Sequence, residues 1–302
     1  MMDKIDYNGI IWVNISNPTK SDFDNIIKTY NLNDIEPDDI LSKVQRPKYE
    51  DYDNFKFMVL HYPIFPNKSY RLIMEELDII WNDKFLITIH SNRLTKVQNL
   101  FNYIKNDENK KQKYLSEGTD FLLYRITYEL VMMIFPQMNQ ISKEIDLLDS
   151  SFEKIKPVKL VERMSALRRN IIFLQTSLKP ARSIFRNLEN IVESYDSSDR
   201  DIHWGDIADY LGKILDMAED YQELIEGIYS SIDTMLTYRT NSIIKTLTMI
   251  SVIMLPLTLI TGFFGMNIKL PFADLKTASI YIGGFMGIIT VAMLLYFKLR
   301  KF

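Results

Sequence analysis

The C-terminal part of the chain contains two long segments without a charged residue. The first runs from Thr246 to Asn267 and the second from Thr277 to Phe297. A helix needs about 20 consecutive, mostly apolar residues to cross a bilayer, and each segment has that length. Because a compact domain would have to bury both segments completely, the pattern favours two membrane-spanning helices over two core helices of a soluble protein.

Basic residues near these segments predict their orientation. More Lys and Arg flank the outer ends of the pair than the connection between the two segments, and such an excess marks cytosolic ends. The flanking residues are Arg239, Lys245, Lys298, Arg300 and Lys301, and those in the connection are Lys269 and Lys276. The start, MMDKIDYNGI, has no signal-peptide pattern. We expect a multi-pass protein of the cell membrane with both termini in the cytosol.

Composition excludes several classes of function. The chain has 36 Lys and Arg against 39 Asp and Glu, a net charge of -3, so nucleic acid is not an expected partner. It has no cysteine, which removes disulfides, thiolate metal sites and cysteine nucleophiles. There is no nucleophile–base arrangement, P-loop or catalytic metal motif, so we do not expect an enzyme.

The N-terminal part reads as a small cytosolic α/β domain over residues 1–118. Residues 9–15 and 55–61 are typical of strands, and residues 77–89 predict a β-hairpin with its turn at Asn82 and Asp83. Ser91 follows the hairpin and is a candidate N-cap for the next helix.

Long helices replace this mixed pattern after residue 118. Apolar spacing predicts one helix over 119–153, with Pro136 as a candidate kink, and a second from Pro157 to about Tyr195. A third begins near Ile202 and meets no strong stop signal before Gly262. Its roughly 60 residues would extend roughly 90 Å, at about 1.5 Å per residue. We therefore expect this helix to cross the membrane and to project into the cytosol.

One face of this third helix is uncharged and mostly small or weakly polar. Steps of three and four residues from Asn241 give Ile244, Thr248, Ser251, Leu255, Thr258 and Gly262. Such a face could line a pore, with polar rings and apolar constrictions. It could equally provide hydrogen bonds between packed helices. Because two membrane helices cannot enclose an ion path, a pore would require a symmetric homo-oligomer.

The segment from Tyr238 to Pro271 resembles the signature of the CorA family of magnesium, cobalt and nickel transport channels, of the two-transmembrane Gly-Met-Asn type. The matching residues are Asn241, Leu247, Thr248, Pro256, Leu257, Thr258, Gly262, Gly265, Met266 and Asn267. Asp206 and Asp209 also resemble an acidic pair at the start of that family's stalk helix. The segment QRPKYEDYDNFKFMVLHYPIF resembles its N-terminal domain.

The resemblance implies a funnel-shaped homopentamer that conducts Mg²⁺ into the cytosol and is gated by cytosolic Mg²⁺, with Co²⁺ or Ni²⁺ as alternative ions. Gly265, Met266 and Asn267 would form the external mouth. The expected pore-lining residues are Asn241, Ile244, Leu247, Thr248, Ser251, Leu255, Thr258 and Gly262. The expected segments are the α/β domain (1–118), long antiparallel cytosolic helices (119–201), the stalk (202–245), the first transmembrane pore helix (246–267), an external loop (268–276) and the second transmembrane helix with a basic tail (277–302).

The family's regulatory metal site implies Asp206, with Asp209 beside it, as the metal-binding acids between subunits. Its partner acid should lie near Ser91–Lys96, but that stretch, SNRLTK, contains no acid. Asp78, Asp83 or Asp209 could take its place. The simpler alternative is that Asp206 only stabilises a helix N-terminus.

Two other functions stay open at this point. One is a proton-coupled zinc transporter of related architecture, and the other is a membrane scaffold or sensor without transport. The two uncharged segments contain no Asp, Glu, Lys or Arg, which argues against a proton relay inside the membrane. Selectivity among Mg²⁺, Co²⁺, Ni²⁺ and Zn²⁺ and the direction of transport stay undecided.

Overall fold

The computed structural model describes residues 2–32, 34–35, 45–66, 71–151, 157–195, 203–266 and 278–300. The strands in these ranges are β1 (Met2–Tyr7), β2 (Ile10–Ser16), β3 (Lys48–Asp51), β4 (Lys56–Ile64), β5 (Ile73–Trp81) and β6 (Phe85–His90). The helices are α1 (Lys20–Tyr30), α2 (Thr95–Lys105), α3 (Glu108–Leu115), α4 (Thr119–Met132), α5 (Ile134–Ser151), α6 (Pro157–Tyr195), α7 (Trp204–Phe264) and α8 (Ala278–Leu299).

The chain forms two compact units. The first is Met1–Gly227, which holds the strands, α1 to α6 and the first part of α7. The second is Ile228–Phe302, which holds the rest of α7 and α8. The long third helix expected from the sequence is confirmed, because α7 is a single helix of 61 residues.

The first unit is built on a six-stranded sheet in the order β1-β2-β6-β5-β4-β3. Strands β2 and β6 are parallel, and the other neighbours are antiparallel. The predicted hairpin is β5 and β6, in which Trp81 lies opposite Leu86. The edge strands β1 and β3 were not expected. Only Ile5 is buried in β1, and β3 has no buried residue, so neither carries a core-facing pattern.

Helices cover both faces of the sheet. On one face, Phe23 and Ile26 of α1 pack with strand residues that include Val13, Phe57 and Ile87. On the other face, Phe101 of α2 meets the ring of Trp12 edge-on, with 4.9 Å between ring centroids. A central strand of this sheet therefore needs apolar residues on both sides, which explains the continuous burial of β6.

The prediction of a single helix over 119–153 is wrong. Two helices, α4 and α5, occupy this stretch, with Met133 between them. Pro136 is the third residue of α5. Proline has no N–H to donate and its ring clashes with the carbonyl four residues earlier, here that of Met132. The first turn of a helix tolerates proline, in agreement with the start of α5 at Ile134, two residues before Pro136.

Candidate ion path and cytosolic acidic site

In the part of the chain that the structure describes, two helices are long and apolar enough to cross a membrane. They are α7, through its C-terminal part, and α8. In each helix, the most apolar stretch has no part that is buried within the chain. Large side chains such as Leu259 and Ile280 are 73% and 72% exposed. Core helices would bury these residues, so the apolar surface of both helices must be covered by lipid or by other chains.

The predicted pore-lining residues all lie on α7 and are exposed in the single chain. Asn241, Thr248, Leu255 and Gly262 recur every seven residues, and Ile244, Ser251 and Thr258 repeat between them. A seven-residue repeat is the pattern with which helices pack around a common axis. Leu247 is outside this series and lies beside it, four residues before Ser251. The face therefore has the spacing of a seam in a helical bundle.

Hydrogen bonds within α7 orient the threonine hydroxyls on this face. Thr248 Oγ1 donates to the carbonyl oxygen of Ile244, and Thr258 Oγ1 donates to that of Met254, each at 2.8 Å. Because the hydroxyl hydrogen is used within the helix, the lone pairs of the hydroxyl oxygen stay available as acceptors. Water molecules bound to a cation point their hydrogens outward and need such acceptors. The face can therefore accept hydrogen bonds from the water molecules of a hydrated cation.

The end of α7 requires a glycine at residue 265. The Gly265 N–H donates to the Thr261 carbonyl oxygen at 2.9 Å. A Cβ atom added at Gly265 would lie 2.9 Å from that same oxygen, closer than side chains normally approach a backbone oxygen. Met266 follows and is half exposed. Asn267, the third residue of the predicted mouth, lies outside the described residues.

Asp206 and Asp209 are both exposed near the start of α7. They are three residues apart and share one side of the helix. Asp206 also lies near Tyr124 of α4: burial, and then the Asp206 carboxylate, raise the pKa of the Tyr124 hydroxyl. Among the described residues, no group of three or more His, Cys, Asp or Glu could hold a metal ion. A cation at Asp206 would therefore need further ligands from water or from another chain.

An acid of β5 that sequence reasoning missed, Glu75, lies against the loop after β6. The Ser91 hydroxyl donates to a Glu75 carboxylate oxygen, and Arg93 Nη1 lies 3.2 Å from the other oxygen. The N-cap predicted at Ser91 is wrong, because α2 begins at Thr95 after Leu94, which makes no side-chain cap. The register of the predicted hairpin could have located Glu75. Leu77 lies opposite His90, so Glu75 falls next to the residues that follow β6.

The alternative acids occupy different surroundings. Asp78 is 4% exposed within β5, between Val59 of β4 and Ile89 of β6, so it cannot reach a cation in solvent. Asp83 is exposed in the turn before β6, at the end of that strand opposite to Ser91. Six strand residues, about 20 Å, separate that turn from the loop. Asp209 is the one alternative that shares a surface with Asp206.

The surroundings of Asp78 favour its neutral form. Burial and then the nearby Glu76 carboxylate raise its pKa well above the usual range, and Lys48 opposes them. Within the described part of the chain, Asp78 Oδ1 has no hydrogen-bond partner. The folded state therefore favours the protonated carboxyl, whereas an unfolded chain ionises it at ordinary carboxyl pKa values.

The Asp78→Asn variant should be more stable than the wild type at pH 8, by on the order of 1 kcal/mol, and the gain should shrink toward pH 4. A raised folded-state pKa means that stability falls as pH rises above the unfolded-state pKa, and asparagine removes that loss. Thermal unfolding of the detergent-solubilised protein at several pH values measures this. Asp83→Asn, on the exposed turn, is the control and should change little at any pH. A destabilised Asp78→Asn variant at pH 8 would contradict the assignment.

Comparisons with known proteins agree with this arrangement. A family model described as CorA-like Mg²⁺ transporter protein matches residues 7–301. The cobalt/magnesium transport protein CorA of Thermotoga maritima is 26% identical over 293 residues, covering 96% of this chain and 82% of that protein. The zinc transport protein ZntB of Cronobacter sakazakii is 29% identical over 126 residues, covering 42% of this chain and 38% of that protein.

The fold itself matches a solved structure. The CorA magnesium transporter of Methanocaldococcus jannaschii superposes with a TM-score of 0.81 at 21% identity, covering 98% of this chain and 93% of that one. This confirms the expected α/β domain, long helix and two apolar C-terminal helices. Because the family model extends over nearly the whole sequence, the chain belongs to the family of CorA-like Mg²⁺ transporter proteins.

Proposed function

We propose that this protein is a homopentameric channel that conducts Mg²⁺ into the cytosol. The observation that carries the proposal is the uncharged seam of α7 from Asn241 to Gly262, which leads directly to Gly265 and Met266. The family consists of membrane transporters, and this chain has two helices that can span a membrane. The identity of the ion, the number of subunits and the direction of transport are the proposed parts.

Five copies of α7 would enclose the path that one copy cannot. In such a bundle the Asn267 side chains form an external ring of neutral amides. Mg²⁺ gives up its water reluctantly, so amides that bind those waters are suited to first capture. Thr258 and Asn241 then provide polar rings along the path, and Leu255, Leu247 and Ile244 provide apolar constrictions that close it by excluding water.

Passive conduction fits the chemistry of the membrane segments better than coupled transport. Neither uncharged segment contains an ionisable side chain that could carry protons across. The negative membrane potential favours entry of a divalent cation without coupling, by about 4.6 kcal/mol per 100 mV for two charges. Direction is therefore set by the gradient, which is inward for Mg²⁺.

Regulation by cytosolic Mg²⁺ is the second part of the proposal. Asp206 and Asp209 would hold the ion between neighbouring subunits, where its charge offsets their mutual repulsion. The 91–96 loop has no acid of its own, and Glu75 of β5, which lies against it, is buried and paired with Arg93. We therefore place the acidic ligands on the stalk alone, where Asp209 stands in for the absent loop acid.

Flux into proteoliposomes tests the function. We expect Mg²⁺ uptake driven by a negative inside potential, without a pH gradient, and weaker uptake of Co²⁺ or Ni²⁺. Native mass spectrometry of the detergent-solubilised protein should give five subunits. Zn²⁺ movement that requires a pH gradient would favour the zinc transporter, whose similarity covers 42% of this chain. Absence of flux for every divalent cation would favour a scaffold or sensor.

A further inference from the structure

The first turn of α7 is anchored by side chains from two other helices. Trp204, its first residue, is 3% exposed. Its ring stacks on Phe185 of α6 with 5.8 Å between centroids and an interplanar angle of 20°. It also meets the ring of Tyr124 of α4 edge-on at 5.9 Å. The start of the long helix is thus fixed against α4 and α6 immediately before Asp206.

A carboxylate from α6 completes this anchor. Glu189 Oε2 accepts a hydrogen bond from the Gly205 N–H at 2.8 Å. The first N–H groups of a helix have no partner within the helix, so Glu189 does the work of an N-cap from a distant part of the sequence. A Cβ atom at Gly205 would lie 3.4 Å from Glu189 Cδ and Oε1, so glycine gives the carboxylate room to approach. The negative charge also suits the positive end of the helix dipole.

We propose that Glu189 is a positioning residue for the regulatory cation site at Asp206; this inference rests on the function proposed above. Gly205 is directly bonded to Asp206, so the hydrogen bond to Glu189 determines where the first turn places the Asp206 carboxylate. Helix ends fray when their N–H groups lack partners. A site binds an ion more weakly when its ligands must first be ordered, because that ordering costs conformational entropy.

The two roles available to Glu189 differ in what they require of the side chain. Positioning requires a hydrogen-bond acceptor at the Gly205 N–H, which a glutamine amide oxygen also supplies. A purely electrostatic contribution requires the negative charge, which glutamine lacks, and direct ligation of the cation would be weakened by the loss of that charge. Glu189→Gln should therefore behave like the wild type, and Glu189→Ala should not.

The experiment measures Mg²⁺ flux into proteoliposomes over a range of cytosolic-side Mg²⁺ concentrations. We expect Glu189→Ala to raise the concentration needed for half-maximal closure by about threefold to tenfold, the change that a lost hydrogen bond of roughly 1 kcal/mol gives. Flux at the lowest Mg²⁺ should not change, because Glu189 is outside the proposed pore. Glu189→Gln should shift the half-closure concentration less than about twofold.

A contact elsewhere between α6 and α7 provides the matched control. Gln175 Nε2 donates to Gln222 Oε1 at 3.4 Å, a contact that precedes Glu189 on α6 and follows Gly205 on α7. Gln175→Ala should leave the Mg²⁺ dependence unchanged. If it shifts closure as much as Glu189→Ala does, the effect is a general loosening of the helix pair and the inference fails. A Glu189→Gln variant that behaves like Glu189→Ala also overturns it.

Asp206→Asn separates failure of this inference from failure of the proposed regulation. If Asp206→Asn does not change the Mg²⁺ dependence, the regulatory site is not at Asp206 and both proposals fall. If Asp206→Asn weakens closure and Glu189→Ala does not, the regulatory site stands and the positioning role of Glu189 is refuted. Support requires both variants to weaken closure and Glu189→Gln to restore it.

Discussion

Replacing Asn267 by alanine should lower Mg²⁺ uptake into proteoliposomes at least about a hundredfold. In the proposed pentamer the change removes five amide groups from one ring. Each bond to a water of the hydrated ion contributes about 1 kcal/mol. Losing even part of the ring therefore costs more free energy than the roughly 2.7 kcal/mol that corresponds to a hundredfold change in uptake. The remaining alanine ring cannot replace the water contacts that a Mg²⁺ ion seeks at the membrane surface.

Assembly should survive this change, because residue 267 lies beyond the last residue of α7. Native mass spectrometry of the variant checks that the subunit number is unchanged. Asn187→Ala removes an exposed amide from α6 and serves as the matched control, with uptake expected to equal that of the wild type. Undiminished uptake by a correctly assembled Asn267→Ala channel would refute the pore-mouth assignment.

Gly265→Ala should reduce uptake at least about tenfold. The added methyl group would lie 2.9 Å from the Thr261 carbonyl oxygen, which is itself the acceptor for the Gly265 N–H. Relief of such a contact requires the backbone to move, and overpacking of this kind costs about 1–3 kcal/mol. Movement at Gly265 displaces Asn267 two residues later, so the ring of amides loses its spacing.

Gly227→Ala tests whether the steric contact is the cause. Gly227 is also on α7, but a Cβ atom there would meet nothing within 4 Å. We expect normal uptake and slightly higher thermal stability from Gly227→Ala, because alanine is favoured over glycine in a helix by about 1 kcal/mol. Equal uptake by Gly265→Ala and wild type would show that the close approach at the end of α7 does not affect conduction.

Much of the fold could be predicted because its signals are local. The family resemblance seen between Tyr238 and Pro271 is confirmed, and so are the extent of α7 and the β5–β6 hairpin. Helical periodicity and uncharged length are properties of a few neighbouring residues, and no distant contact is needed to express them. The pore-lining and mouth residues stay predictions, since flux and assembly are what test them.

Other features could not be predicted because they depend on distant residues. The edge strands β1 and β3 exist through pairing with β2 and β4, although their own sequences are highly charged. The carboxyl at Asp78 looks like an available acid in the sequence, but it is buried on a central strand. The loop after β6 has no acid in its own sequence, but the sheet brings Glu75 to it.

By itself, the sequence determined that this chain has two uncharged C-terminal segments and one very long helix. Along that helix it also determined an uncharged face that repeats every seven residues. These follow from residue spacing and from the cost of placing charge in a membrane. Only the tertiary structure decided which acids face solvent and what holds the start of α7. Glu189 caps Gly205, and Trp204 packs on Phe185, between α6 and α7. Such contacts depend on how two helices pack, and no local pattern specifies that.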